Sequence, residues 1–415
     1  MPATVLFINT RPTPLEAYPC FYAARQLGLD VVLLADRPID EFAEVAAEVA
    51  IVDTFDLDAT VAAAAAVARR RSVVGAVTWA DRDVEAVARI TEILGLPGNP
   101  PAAAATARNK GRLREVLLAH APDLVPAFHV VRTEEDLDAA LRSVPMPAIL
   151  KPTGASGSKG IFAVEDSASL RSAFAELMQF TRPEKDPIFC YYPGELVLEE
   201  RVFGTEHSVE GIVQCGEIRT LTVTDKWVRM PFFLEHLQIQ PSRLPSGTAV
   251  RVREAAARTV RLVGLRDGAF HLELKVTEEG QPVVLELNGR TGGGFITSHL
   301  IKTTTGYDFY REVLRGACAL GEVKDAPEPF CAAGSIQVIT PAEGIFEGFS
   351  NLGQVLSIPG IIHFTYELPP GQRVAQPPAS FTTPVLASFV AQAATPATVE
   401  KLLLHVDDTI APVLR

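Results

Sequence analysis

The chain has 415 residues, 47% of them hydrophobic and 21% charged, with a formal net charge of −12. That length exceeds one ordinary core, so roughly two or three domains are expected in a soluble, globular chain. The acidic balance argues against a general nucleic-acid binder, which needs a basic face, and means that a polyanionic ligand must be held by a local cluster of cations.

The opening MPATVLFINT has no basic n-region and reads as a first strand, not a leader. The most apolar helical stretch, residues 61–68, is too short to span a bilayer, so no membrane association is expected. Cys20, Cys190, Cys215, Cys318 and Cys331 are odd in number and lack a C-x-x-C pair. Reduced thiols in a cytoplasmic protein are expected, with no zinc site and no disulfide framework. No internal repeat, heptad or low-complexity block is present.

Residues 1–100 alternate short apolar runs with helical patterns: strands at 5–8, 31–34, 49–52 and 73–78, helices at 18–27, 57–70 and 82–94, with Gly28 and Gly95 as helix stops. This is the βαβ rhythm of a doubly wound parallel sheet. The first strand is followed by Asn9-Thr10-Arg11-Pro12-Thr13-Pro14, without glycine, so the dinucleotide fingerprint is missing. Arg11 and Asp81-Arg82, at strand ends, either line a cleft or are ordinary loop groups.

Leu96 to Pro101 is a breaker cluster and an expected boundary. A helix is predicted over 102–119, containing Asn109-Lys110. Residues 127–200 then form a small α+β unit, with strands at 128–131, 148–151, 161–164 and 195–201. Its helices start at Thr133, followed by three acids, and at Ser167. The strand ending in Lys151 runs into a Gly/Ser loop with glycines at 154, 157 and 160. That spacing, between two strands, is not a P-loop. The loop is either a flap whose N–H groups fold over phosphates or a plain mobile turn.

Between 218 and 244, Lys226-Trp227 and Phe232 to His236 mix aromatic and charged groups, and a helix is predicted over 247–263. The hairpin at 269–290 carries the most chemistry. Phe270, Leu272, Leu274 and Val276 alternate on its first arm, and Val283, Leu285 and Leu287 on its second. A two-residue turn at Glu279-Gly280 places Glu273 opposite Glu286 and His271 opposite Asn288. Directly opposed carboxylates are unfavourable unless something positive lies between them. Two carboxylates with an amide oxygen are hard ligands that suit Mg2+ and not zinc or copper. The alternative is a solvated hairpin face relieved by Lys275. Gly292-Gly293-Gly294 permits close backbone approach to a ligand. His299 is expected to be structural. After 320, strands are predicted at 333–339, 353–356 and 361–366, then a helix capped by Thr395-Pro396 with a core stripe of Val399, Leu402, Leu403, Val406 and Ile410.

Taken in order, a strand-terminal Lys151 before a Gly/Ser flap, the acidic run Glu199-Glu200-Arg201-Val202 leading to Glu206, and the Glu273…Glu286-x-Asn288-x-Arg290 hairpin resemble the ATP-grasp superfamily. The Arg290 to Gly294 run and the β-rich tail look most like the bacterial L-amino-acid ligases. The resemblance implies an ATP-grasp fold of mixed α/β and α+β type. Its parts would be an N-terminal doubly wound domain (1–100), an ATP-grasp domain (101–320) with a lid subdomain at about 127–200, and a C-terminal domain (321–415). It implies ATP binding by Lys110, Lys151, Ser156, Gly157, Ser158, Glu200, Arg201, Val202, Glu206, Glu273 and Glu286. Glu273, Glu286 and Asn288 would hold a pair of Mg2+ ions, with Mn2+ as a substitute. Arg290 would be catalytic and contact substrate, with His236, Gly293 and Gly294 also near substrate. The implied reaction joins a small carboxylate, such as an L-amino acid, to an amine through an acylphosphate, in a homodimer. A biotin-carboxylase type of ATP-grasp enzyme and a catalytically silent nucleotide-binding module are the alternatives.

Overall fold

The computed structural model describes residues 2–11, 13–38 and 40–415; Met1 and Pro12, which the reading above included, lie outside them. The first unit contains β1 (Thr4–Ile8), α1 (Pro14–Gln26), β2 (Asp30–Ala35), β3 (Glu48–Ile51), α2 (Leu57–Ala68), β4 (Val73–Thr78) and α3 (Val84–Leu94). Its strands form a parallel sheet in the order β3-β2-β1-β4. Val5, Leu6, Phe7 and Ile8 have no exposed surface, because a central parallel strand is covered on both faces. The first helix begins earlier than its apolar pattern suggested, since Pro14 suits an opening helical turn, where an amide proton has no partner anyway.

The predicted helix over 102–119 is two helices, α4 (Pro101–Arg108) and α5 (Lys110–His120). Asn109 is extended (φ −119°, ψ 113°), and its side chain accepts from the Arg112 amide, so it caps the second helix and breaks the first. The next unit comprises β5 (Phe128–Val131), α6 (Asp136–Ser143), β6 (Ala148–Pro152), β7 (Phe162–Val164), α7 (Ser167–Phe180) and β8 (Leu196–Glu200), with sheet order β5-β8-β6-β7. Its first helix starts after Thr133, because Asp136 and not Thr133 takes up the free amides of Arg132 and Thr133.

An eight-stranded sheet dominates the rest. It is built from β9 (Thr205–Gln214), β10 (Glu217–Arg229), β11 (Leu234–Gln240), β12 (Gly268–Val276) and β13 (Pro282–Asn288), with α8 (Ser246–Val263) across one face. After α9 (Ile301–Thr305) and α10 (Phe309–Ala317) come β14 (Ala332–Ile339), β15 (Gly344–Phe349), α11 (Leu352–Leu356), β16 (Ile361–Tyr366), β17 (Arg373–Val374), β18 (Val385–Ala393), α12 (Pro396–Thr409) and β19 (Pro412–Leu414). The order β13-β12-β9-β10-β11-β14-β18-β16 makes the C-terminal strands continue the sheet that carries the hairpin. The predicted strand at 353–356 is helical: Leu352 and Val355, three apart, share one face, and Val355 is fully buried.

The first unit is fastened to the large sheet by α10. Its Val313, Leu314 and Ala317 share a core with Phe7, Phe21 and Trp79 and with Ile212 and Ala269 of the large sheet. Gly75 allows this approach, since a Cβ there would lie 2.6 Å from Cys318 Sγ. All five cysteines are free, and among the described residues no helix is long and apolar enough to cross a membrane.

Candidate active site

The hairpin places the two acids face to face by an unexpected route. His271, Leu272 and Glu273 pair with Asn288, Leu287 and Glu286, but Leu274, Lys275 and Val276 pair with Val284, Val283 and Pro282. Leu285 is the extra residue of a β-bulge. At the tip, the Thr277 amide donates to Gln281 O (3.0 Å) and the Gly280 amide to Thr277 O (2.9 Å). The loop is therefore Glu278-Glu279-Gly280, one residue longer than the predicted turn. The longer loop and the bulge cancel, so Glu273 still opposes Glu286. On the second arm Leu287 enters the core as predicted, but Val284 takes the place of Val283 there and Leu285 lines a cleft.

That cleft is a cavity of about 440 Å³, walled by the hairpin, the Gly/Ser flap, the end of β8 and the carboxyl ends of the first sheet. The positive charge expected between the acids comes from amines. Lys110 Nζ lies 3.0 Å from Glu286 and donates to Ala155 O of the flap at 2.6 Å. Lys226 Nζ bonds to Glu273 and lies 3.2 Å from Glu235. His271 sits between Glu210 (2.6 Å) and Glu273 (2.9 Å). Burial acts to raise the Glu273 pKa, but Lys226 and His271 override it and hold the group well below the usual carboxylate range. Burial likewise disfavours the His271 imidazolium, yet Glu210 and Glu273 raise its pKa.

Asn109 positions Lys110 by starting α5 at that point, and the Lys110 amide donates to Thr153 O (2.9 Å) at the root of the flap. Lys151, the last charged residue of β6, lies 2.8 Å from Glu199, which in turn meets Arg114 at 2.9 Å. In the flap, Ser156, Gly157 and Ser158 line the cavity, and Ser158 Oγ donates to Phe233 O at 2.7 Å, hooking the flap to the β10–β11 turn. Glu200, Arg201, Val202 and Glu206 line the opposite wall. The Glu206 pKa is raised by burial, with Lys226 opposing.

Arg290 enters the cavity at the end of the hairpin, its Nε 3.5 Å from Asp81 Oδ1. Arg11, Asp81 and Arg82 line the cleft as well, which resolves the choice left open for them. This follows the rule that open α/β sheets present ligand-facing loops at their strand carboxyl ends. Gly293 is at the cavity wall, but His236 and Gly294 are not brought to it. His236 is held by Gln337 O (3.0 Å) and Asp407 (3.6 Å) on the C-terminal side. Gly294 packs against Gln238, whose side chain a Cβ would meet at 2.3 Å.

Glu199, Glu235 and Lys275 line the cavity although none was expected as a ligand-contacting residue, and Lys226 reaches Glu273 and Glu235 from the buried face of β10 beside it. For Lys226 a signal existed: Thr222, Thr224 and Lys226 recur with period two and are all buried, a polar stripe inside a strand. Among the described residues no group of three or more His, Cys, Asp or Glu side chains is arranged to hold a metal ion. The available set is two carboxylates and the Asn288 amide, which is 3% exposed. Hard oxygens in that small number fit Mg2+, which keeps much of its shell for water and phosphate.

A Gly/Ser flap, two buried lysines and opposed hairpin acids surround one cavity. An ATP-grasp domain matches residues 144–299 and an ATP-grasp N-terminal domain matches 21–98. The chain thus carries ATP-grasp domains over these two stretches. It is 31% identical over 263 residues to carnosine synthase 1 of Mus musculus, covering 61% of this chain and 32% of the relative. It is 28% identical over 254 residues to alanine–anticapsin ligase of Bacillus subtilis (strain 168), covering 58% of this chain and 53% of the relative. The chain thus spans only a third to a half of the length of these curated relatives. The fold is that of the L-amino acid ligase from Bacillus licheniformis, with TM-score 0.87 and 21% identity over 100% of this chain and 99% of that one.

Proposed function

We propose that this chain is an ATP-dependent carboxylate–amine ligase. A substrate carboxylate attacks the γ-phosphorus of ATP, the bond to the β-phosphate oxygen breaks, and ADP leaves an acylphosphate behind. An amine then attacks the acyl carbon, and inorganic phosphate departs as the amide forms. The observation that supports this best is the convergence of Glu273, Glu286, Lys110, Lys151 and Arg290 on one cavity.

In this reading Lys110 and Lys151 meet the phosphates as point charges. The flap, through Ser156, Gly157 and Ser158, covers them. The segment Glu200-Arg201-Val202 reads the adenine, and Glu206 the ribose. Arg290 stabilises charge on the transferred phosphoryl group, in a site that works by positioning and electrostatics. Glu273, Glu286 and Asn288 would hold a pair of Mg2+ ions, with Mn2+ as a substitute. Bound there, the metal would neutralise phosphate charge. Gly293 stands near the substrate carboxylate.

We further propose L-amino acids or related small acids and amines as substrates, a homodimer, and a cytoplasmic setting. The division at residues 1–100, 101–320 and 321–415 is proposed as one of labour, the last two parts sharing the eight-stranded sheet. The test is a phosphate-release screen of amino-acid pairs with ATP and Mg2+, followed by mass measurement of products. Amide products that appear only with ATP support the reading. Bicarbonate-dependent ATP cleavage that needs no amine, or nucleotide binding without turnover across the panel, overturns it.

A further inference from the structure

The residue with least reason to be where it is lies behind the cleft. Arg114 is fully buried on α5, one turn beyond Lys110, and does not line the cavity. Its NH2 group donates to Leu285 O at 2.7 Å and lies 2.9 Å from Glu199 Oε1. Its Nε and NH1 are buried without hydrogen-bond partners. A guanidinium without solvent contact is expensive to bury, and a hydrophobic side chain of similar volume would fill the space at no such cost. Its two partners give the reason for the charge. Leu285 is the bulge residue beside Glu286, without a cross-strand partner of its own. Glu199 is the carboxylate that meets Lys151 at 2.8 Å.

We propose that Arg114 is a positioning residue that couples the metal-facing hairpin to the phosphate-facing lysine. By holding the bulge carbonyl it fixes where Glu286 leaves the strand. By holding Glu199 it fixes where Lys151 ends. One nitrogen thus sets the relative placement of the Glu286 carboxylate and the Lys151 ammonium, which lie on different sheets. A bulge re-aims the side chains beside it, and the buried carbonyl of its extra residue needs a donor. Arg114 is that donor. Lys226 and His271 hold Glu273 by its own carboxylate, whereas Arg114 acts on Glu286 through the backbone of the residue before it.

This rests on the ligase reading for the words metal and phosphate, but its test does not need turnover. Arg114→Met removes both contacts while keeping length, and Arg114→Lys restores a buried charge. ATP binding is followed by calorimetry over a Mg2+ titration, alongside urea unfolding and ADP formation. The expected result for Arg114→Met is a rise of about tenfold or more in the Mg2+ needed for half-maximal ATP binding, with part of it recovered in Arg114→Lys. ADP formation should fall with it. If both variants unfold more easily yet bind ATP with the wild-type Mg2+ requirement, Arg114 is scaffold only and the proposal is wrong. If Arg114→Met does not fold, Glu199→Gln carries the test, because it keeps the shape and removes the charge that Arg114 and Lys151 share. An unchanged Mg2+ requirement there overturns the proposal equally. Wild-type protein that binds MgATP but forms no amide defeats the ligase reading and leaves the Mg2+ comparison standing.

Discussion

Arg290 and Asp81 meet across the cleft, Nε to Oδ1 at 3.5 Å, and so tie the end of the hairpin to the carboxyl edge of the first sheet. Neither Asp81 oxygen nor Arg290 Nε has a hydrogen-bond partner, although all three atoms are buried. Burial acts to raise the Asp81 pKa, but Arg290, Arg108, Lys110 and Arg11 override it and keep the group ionised. The contact is therefore electrostatic in origin and orients Arg290 without a fixed hydrogen bond.

Asp81→Asn keeps the shape and removes that charge. We expect kcat to fall about tenfold while KM for ATP changes by less than about threefold, because in the proposed reaction the loss falls on a group used in the transition state. Steady-state phosphate release separates the two constants. Equal changes in both would assign Asp81 to nucleotide binding alone.

Arg290→Ala should lower kcat by about a hundredfold or more with a much smaller loss of ATP affinity, as for removal of other transition-state charge donors. Single-turnover kinetics with equilibrium ATP binding is the measurement. Parallel losses would make Arg290 a nucleotide anchor.

Glu286→Gln removes a carboxylate from the proposed ion site and leaves Lys110 facing a neutral amide. ADP formation should fall by about a hundredfold or more, while the urea midpoint stays near wild type. Turnover at the wild-type rate would remove Glu286 from the mechanism.

Asn109→Ala tests the break between α4 and α5. The side chain caps α5 through Arg112 (3.0 Å) and donates to Glu195 (2.7 Å). Loss of the cap should cost about 1–2 kcal/mol in urea unfolding. KM for ATP should rise too, since Lys110 is the first residue of the helix that Asn109 starts.

His299 provides a pH test away from the cleft. Burial, with His363 and Lys302 nearby, pushes its pKa from 6.5 down to about 4. The folded protein therefore excludes a proton that the unfolded chain accepts. The stability this contributes is present above pH 6.5 and is lost as pH falls towards 4, by at most about 3 kcal/mol. His299→Gln should flatten the fall in unfolding free energy across that window. An unchanged slope would show that other groups govern it.

Much of this site was legible because its chemistry sits on regular elements. The alternation of Phe270, Leu272, Leu274 and Val276 gave the first arm of the hairpin correctly, and all four are buried. The opposition of Glu273 and Glu286 came from an assumed turn that the chain does not make. Nothing in the residue pattern marks Leu285 as a bulge, since its stabilising donor, Arg114, is 171 residues away. The long strands β9 and β10 were missed for a related reason. Their buried faces carry Ser208, Glu210, Thr222, Thr224 and Lys226, polar groups of which Ser208 and Thr224 bond to Glu210 and Lys226 to Glu273, and these defeat an apolar-periodicity reading. His236 looked like a site residue from its charged and aromatic neighbours, but β11 places it beside Asp407 of α12 instead.

The pairing of β11 with β14, Leu237 against Ile336, has a practical result. A polypeptide ending near residue 320 would strip β11 of its neighbour and leave a row of amides and carbonyls open to solvent. Other molecules of the same polypeptide are the nearest source of a replacement strand. Shortened forms should therefore be sought in the insoluble fraction rather than expected as a smaller catalyst.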